Sequence, residues 1–164
     1  MEGGITLSTK IFVNLPVKDL ERSKAFFAKL GYSFNPQFTD ERAACMVIGE
    51  DIYTMLLSEP FFKTFTRKEI ADAAKTTEVL VALSADSRGK VDEMLLSALA
   101  AGAKEAREPM EYESMYGRSF EDLDGHIWEV IWMDLRAINH QYSEPVDRLD
   151  PAPTTVGKRS NGIP

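Results

Sequence analysis

The chain has 164 residues, 44% of them hydrophobic and 27% charged, which is enough for one soluble domain with a real core. Its formal charge of −7 argues against nucleic acid, which calls for a basic stripe, and the single Cys45 excludes an internal disulfide and a multi-cysteine metal site. No apolar run reaches the length of a membrane span, and MEGGITLSTK lacks the apolar stretch of a secretory signal, so a cytoplasmic location is expected, with no membrane partner.

The elements follow in chain order. IFVNLPV alternates, with Val13, Leu15 and Val17 on one side and Phe12, Asn14 and Pro16 on the other, and Pro16 places this strand near an edge. Asp19 is the cap of an amphipathic helix through LERSKAFFAKL, which Gly31 ends. Strands are expected over residues 32–38, 43–48 and 52–57, with Cys45 as a small core residue. In FFKTFTRKEIADAAK, Phe61, Phe62 and Phe65 cluster, and Thr66 is expected to cap a short helix over 67–74. That segment is either a connector packing its own small core or a wall of a cleft.

The pattern then repeats. EVLVALS is a strand, Asp86 or Ser87 is a cap, VDEMLLSALAA is a helix, and Gly102 ends it as Gly31 ended the first. A weak strand over 103–107 precedes a hairpin, Tyr116 to Glu121, the turn DLDG, and HIWEVIWM. A long period present only twice argues for one domain built from two paired units, with the function in the cleft between them. The expected boundaries are a domain over 1–134, with unit one over 10–58, a connector over 59–75 and unit two over 76–134. Residues 135–164, rich in Pro, Ser, Thr, Asn and Gly, read as a partly flexible extension.

Along HIWEVIWM, Ile127, Glu129 and Ile131 face one side, while Trp128, Val130 and Trp132 face the helices. A Glu among apolar neighbours needs a partner. If Glu121 faces His126 across the turn, Arg118 falls opposite Glu129 and Tyr116 opposite Ile131. The pair Arg118–Glu129 then either fixes the hairpin or serves chemistry. In the second case Glu129 acts as an anchor for an amine or as a general base, Arg118 holds a carboxylate or an enolate, and Tyr116 donates a hydrogen bond. His126, beside the turn glycine, reads as an exposed turn residue, and His140 has no spacing partner. There is no GxSxG, GxxxxGK[ST] or GxGxxG, so nucleotide and serine-hydrolase chemistries are unsupported.

FVNLPVKDLERSKAFFAKLGY and GRSFEDLDGHIWEV, in this order and with the duplication, resemble the opening and closing segments of the vicinal oxygen chelate superfamily, which includes glyoxalase I, bleomycin-resistance proteins and extradiol dioxygenases. The resemblance implies an α+β fold. Two βαβββ units would form an open, curved, eight-stranded mixed sheet around a cleft, with helices outside, and homodimers are expected. It also implies four metal-ligand positions, which fall here on Phe12, Met55, Glu78 and Glu129. Two of these are apolar, so no cofactor is expected, and if a divalent metal binds, Glu129 and Glu78 would hold it. The ligand-binding residues expected are Phe12, Asn14, Met55, Glu78, Ile127 and Ile131, around a small organic molecule in a largely apolar cavity. Two other readings compete: a metal-dependent lyase, isomerase or dioxygenase using Glu129, and an interaction module whose cavity is vestigial.

Overall fold

The structure, a computed structural model, describes residues 8–136. The expected extension over 135–164, apart from Leu135 and Arg136, lies outside the described residues, as does His140.

Unit one runs β1 (Ile11–Val17), α1 (Leu20–Lys29), β2 (Ser33–Asn35), β3 (Ala43–Val47) and β4 (Ile52–Ser58). Its four strands are ordered β1-β4-β3-β2, with β1 parallel to β4. Pro16 therefore sits on an edge strand, where its missing N–H leaves no ladder bond unmade. The Asp19 side chain accepts from the Arg22 N–H at 3.0 Å and starts α1, and Gly31 ends the helix at φ 97°.

A short helix α2 (Glu59–Phe62) and a 3₁₀ turn (Lys63–Phe65) lead to unit two. This comprises β5 (Leu80–Ser84), α3 (Arg88–Ala100), β6 (Lys104–Glu105), β7 (Met110–Tyr112), β8 (Met115–Glu121) and β9 (Ile127–Met133). The path is β5-β9-β8-β6, with β5 parallel to β9 and β7 paired to β8. Ser87, rather than Asp86, caps α3, accepting from the Lys90 N–H at 3.1 Å. Two βαβββ units thus form as the repeat requires, in two hydrogen-bonded sheets of four and five strands. The ninth strand is β7, three residues too short to show a period in the sequence.

One core joins the two units. Leu15, Val17, Phe26, Phe27 and Leu56 belong to the same buried cluster as Val91, Leu95, Trp128 and Val130. Phe27 meets Trp128 across the join at 5.1 Å between ring centroids. Among the described residues no helix is long and apolar enough to cross a membrane.

The hairpin register differs by one residue from the expected one. Glu121 faces Ile127, so Arg118 lies opposite Val130, Ser119 opposite Glu129, and Tyr116 opposite Trp132. The cause is the Asp122 carboxylate. Its Oδ1 accepts from the N–H groups of both Asp124 and His126 at 3.0 Å, which draws His126 into the turn.

Candidate functional site

Each sheet carries its long helix, α1 or α3, on one face and leaves the other free of it, the helix-free face. Phe12, Asn14 and Pro16 on β1 share the helix-free face with Met55 and Leu57 on β4, their neighbours by register or diagonal. Phe12 is 47% exposed and stacks on Tyr53, centroids 4.9 Å apart and planes 13° off parallel. Cys45 is buried, and burial pushes its thiol up, which makes it a packing residue rather than a nucleophile. On sheet two, Ile127, Glu129 and Ile131 share the helix-free face with Leu80, Ala82 and Ser119.

A cleft of about 500 Å³ opens where the free edge of β1 meets the start of β9 and the residues leading into β5. Asn14, Pro16, Phe62, Ile70, Glu78 and Ile127 are among the residues that line it. Three of these, Asn14, Glu78 and Ile127, were expected from the sequence as ligand-binding residues. Phe12, Met55 and Ile131 lie on the helix-free faces outside this lining.

The connector is a wall of the cleft. The expected helix over 67–74 does not form, because that stretch has no apolar stripe to bury and its polar groups bond locally instead. Thr66 Oγ1 accepts from the Lys68 N–H at 3.1 Å, and the carbonyl of Asp72 accepts from the N–H groups of Lys75 and Thr76 at 2.9 Å. The segment is moored at Gly125, which has φ 95°. A Cβ at Gly125 would stand 2.8 Å from the backbone of Ala73. Gly125→Ala is therefore expected to cost about 1–3 kcal/mol of stability, from the left-handed backbone and the displaced wall. Chemical denaturation checks this, and an unchanged midpoint would contradict it.

Beside Gly125, a set of polar contacts locks unit two to unit one. His126 is only 8% exposed, not on the surface as the sequence suggested, because the longer turn folds its ring inward. Its Nε2–H donates to the carbonyl of Pro16 at 2.7 Å. The Asp124 carboxylate accepts from the Lys18 N–H at 2.9 Å and from Ser23 Oγ at 3.2 Å. Beneath them the buried Asp122 accepts from Trp128 Nε1–H at 3.0 Å. Burial raises the Asp122 carboxyl above the ordinary range, against the pull of nearby His126 and the three N–H donors.

The expected pair Arg118–Glu129 is not formed. Both Arg118 and Tyr116 lie on the helix-bearing face, away from Glu129, because the register is displaced by one residue. Tyr116 Oη donates to Asp92 Oδ1 at 2.6 Å, and Arg118 binds Glu105 at 2.6 Å and Asp92 at 3.2 Å. Hydrogen bonds to Tyr116 and Glu105 hold the Arg118 guanidinium charged. Glu129, with a side chain 15% exposed, is instead paired with Arg107, Nη2 to Oε1 at 2.7 Å. Arg107 comes from the loop between β6 and β7. The sequence carried one signal for it, the need of an inward Glu for a counter-charge.

The donor set does not suit a metal. Phe12 and Met55 bring no hard oxygen or nitrogen donor, and the charge of Glu129 is already balanced by Arg107. Glu78 lines the cleft, whereas Glu129 lies outside its lining. Among the described residues no three of His, Cys, Asp and Glu converge on a metal position.

Comparisons with known proteins agree with this architecture. The family model described as bleomycin resistance protein-like N-terminal matches residues 9–49. No curated protein matches the chain in sequence. Among solved structures, a hypothetical protein, SA1046 from S. aureus, is 27% identical with a TM-score of 0.65, over 77% of this chain and 95% of that one. A glyoxalase/bleomycin resistance protein/dioxygenase family enzyme from Burkholderia phytofirmans is 15% identical with a TM-score of 0.64, over 77% of this chain and all (100%) of that one. The fosfomycin resistance protein FosX from Mesorhizobium loti is 20% identical with a TM-score of 0.56, over 85% and 98% of the two chains. The paired βαβββ units and these likenesses give the chain the fold of the glyoxalase/bleomycin resistance/dioxygenase proteins, with a bleomycin resistance protein-like N-terminal segment over residues 9–49.

Proposed function

We propose that this protein binds a small organic molecule in the cleft between its two units, without a metal. The observation that carries the reading is the cleft itself. At about 500 Å³ it has the size of a small-molecule site, and Pro16, Phe62, Ile70 and Ile127 give it apolar walls with Asn14 and Glu78 as polar anchors. The helix-free faces bearing Phe12, Met55 and Ile131 extend the apolar surface beyond it. A fragment screen by thermal shift tests the reading. Asn14→Trp, at an exposed position that lines the cleft, is expected to weaken a cleft-binding fragment at least tenfold while leaving the melting temperature of the free protein nearly unchanged. Equal affinity in the variant would place the fragment elsewhere.

The same reading includes a homodimer. Phe12 and Leu80 are 47% and 52% exposed on the helix-free faces, and apolar side chains so placed gain by covering one another. Sedimentation is expected to give twice the 18.4 kDa of one chain. Replacing both Phe12 and Leu80 with Asp is expected to weaken self-association at least tenfold. A wild-type chain that sediments as a monomer would contradict this part.

A further inference from the structure

We infer that Arg107, held by Glu129, is an anion-binding group of this site, and that the ligand carries a carboxylate or a comparable planar oxyanion. The inference rests on the cleft reading above and adds to it the chemical class of the ligand.

The Glu129 side chain is 15% exposed on a largely apolar face, with Ile127 and Ile131 on either side along β9 and Ala82 opposite on β5. A carboxylate in such a place needs a counter-charge. The chain supplies one from a loop, and in an incomplete way. Arg107 gives a single nitrogen, Nη2, to a single oxygen, Oε1, at 2.7 Å, and the same Nη2 lies 4.0 Å from Met110 Sδ. A pair that served only to neutralise charge would gain more from the two-pronged geometry that a guanidinium and a carboxylate can adopt. Here Arg107 Nε and Nη1 have no protein partner among the described residues, and its side chain is 47% exposed. Nη2 is held by Glu129, while the N–H groups of Nε and Nη1 remain able to donate on a half-exposed side chain.

The surroundings carry a second, independent sign. Ser119 lies directly opposite Glu129 on the same face, is 0% exposed, and its Oγ has no hydrogen-bond partner. A buried hydroxyl without a partner costs stability. It is a second incompletely satisfied polar group on the face that carries Glu129. The spot adjoins the cleft, since Ile127 lines the cleft and Glu129 is the next residue on the same face of β9, about 7 Å along. Arg107 itself lies outside the cleft lining, so a molecule with its apolar body against Ile127 would reach along β9 to set a carboxylate on Arg107. An N–H of Nη1 or Nε would then donate a charge-assisted hydrogen bond to that carboxylate.

Three probes of one shape and different charge test this: benzoate, benzyl alcohol and benzylamine, each titrated into the full chain and followed by ¹⁵N NMR. Benzoate is expected to bind at least tenfold more tightly than the other two and to shift the amides of Arg107 and Glu129. Arg107→Gln is expected to remove that preference, and Arg107→Lys to retain part of it. Because Arg107→Gln leaves Glu129 unpaired, the double variant Arg107→Gln with Glu129→Gln serves as the control for folding and is expected to show the same loss. If benzyl alcohol binds in the cleft as tightly as benzoate, or if the double variant keeps the preference, the role of Arg107 is overturned and the cleft reading stands. Tighter binding of benzylamine would likewise overturn it, by assigning the spot to a cation that displaces Arg107. If none of the three shifts the residues of the cleft, both readings fail.

Discussion

Asp122→Ala is expected to destabilise the protein by about 2–4 kcal/mol, a large share of the ~5–15 kcal/mol that holds a domain of this size. The carboxylate is 7% exposed and accepts three hydrogen bonds, from Trp128 Nε1–H and from the N–H groups of Asp124 and His126. Its removal strands all three donors. It also frees the turn that carries His126 and Asp124 to unit one, so the junction at Pro16, Lys18 and Ser23 should loosen with it. The pH dependence gives the prediction a sign. Burial raises this carboxyl above its unfolded value near 4, so the folded state holds the proton more tightly than the unfolded chain. Its contribution to stability is then complete below about pH 4 and is lost as pH rises through the raised folded value. Asp40, Asp51 and Asp72 run the other way. Hydrogen bonds hold them below the ordinary range, so their contribution is present above about pH 4 and is lost on acidification. Thermal melts of wild type and Asp122→Ala should therefore draw further apart as pH falls from 7 toward 4. Curves that converge over that range would show that the carboxyl is not raised.

Phe27→Ala is expected to cost about 3–5 kcal/mol, lowering the melting temperature by about 10–20 °C. Phe27 is 1% exposed and sits at the join of the units, edge-on to Phe26 at 4.9 Å and to Trp128 at 5.1 Å. Few neighbours can collapse into the space, because Trp128 is fixed by Asp122 and α1 by its caps at Asp19 and Gly31. Leu96→Ala is the control. Leu96 is 65% exposed on α3, and a change of at most about 0.5 kcal/mol is expected there. A loss at Phe27 no larger than at Leu96 would mean that the two units do not share a core.

Much of this fold can be read from the chain, and the reason is local. Asp19 and Gly31, Ser87 and Gly102 each fix a helix end through groups within a few residues, and the alternation in β1 and β9 names the buried side of each strand. The site is harder to read, because its key residues are set by contacts distant in sequence. One carboxylate, Asp122, lengthens a turn by one residue, and that moves Arg118 and Tyr116 to the far face of the sheet. Arg107 meets Glu129 from a loop with no periodicity. The connector lacks an apolar stripe and takes its course from the backbone of Gly125 and the side of the cleft it covers. Strand alternation leads to Asn14 and Ile127 and the family resemblance to Glu78, and all three line the cleft.

Fragment binding to ¹⁵N-labelled protein, mapped by NMR with and without a chelator, tests metal-free binding in the cleft. A bound aromatic fragment is expected to shift the amides of Asn14, Ile70, Glu78 and Ile127 as one group, with the same affinity in the presence of the chelator. Binding that appears only with added divalent metal and vanishes in Glu129→Gln would contradict it and favour metal-dependent chemistry at Glu129.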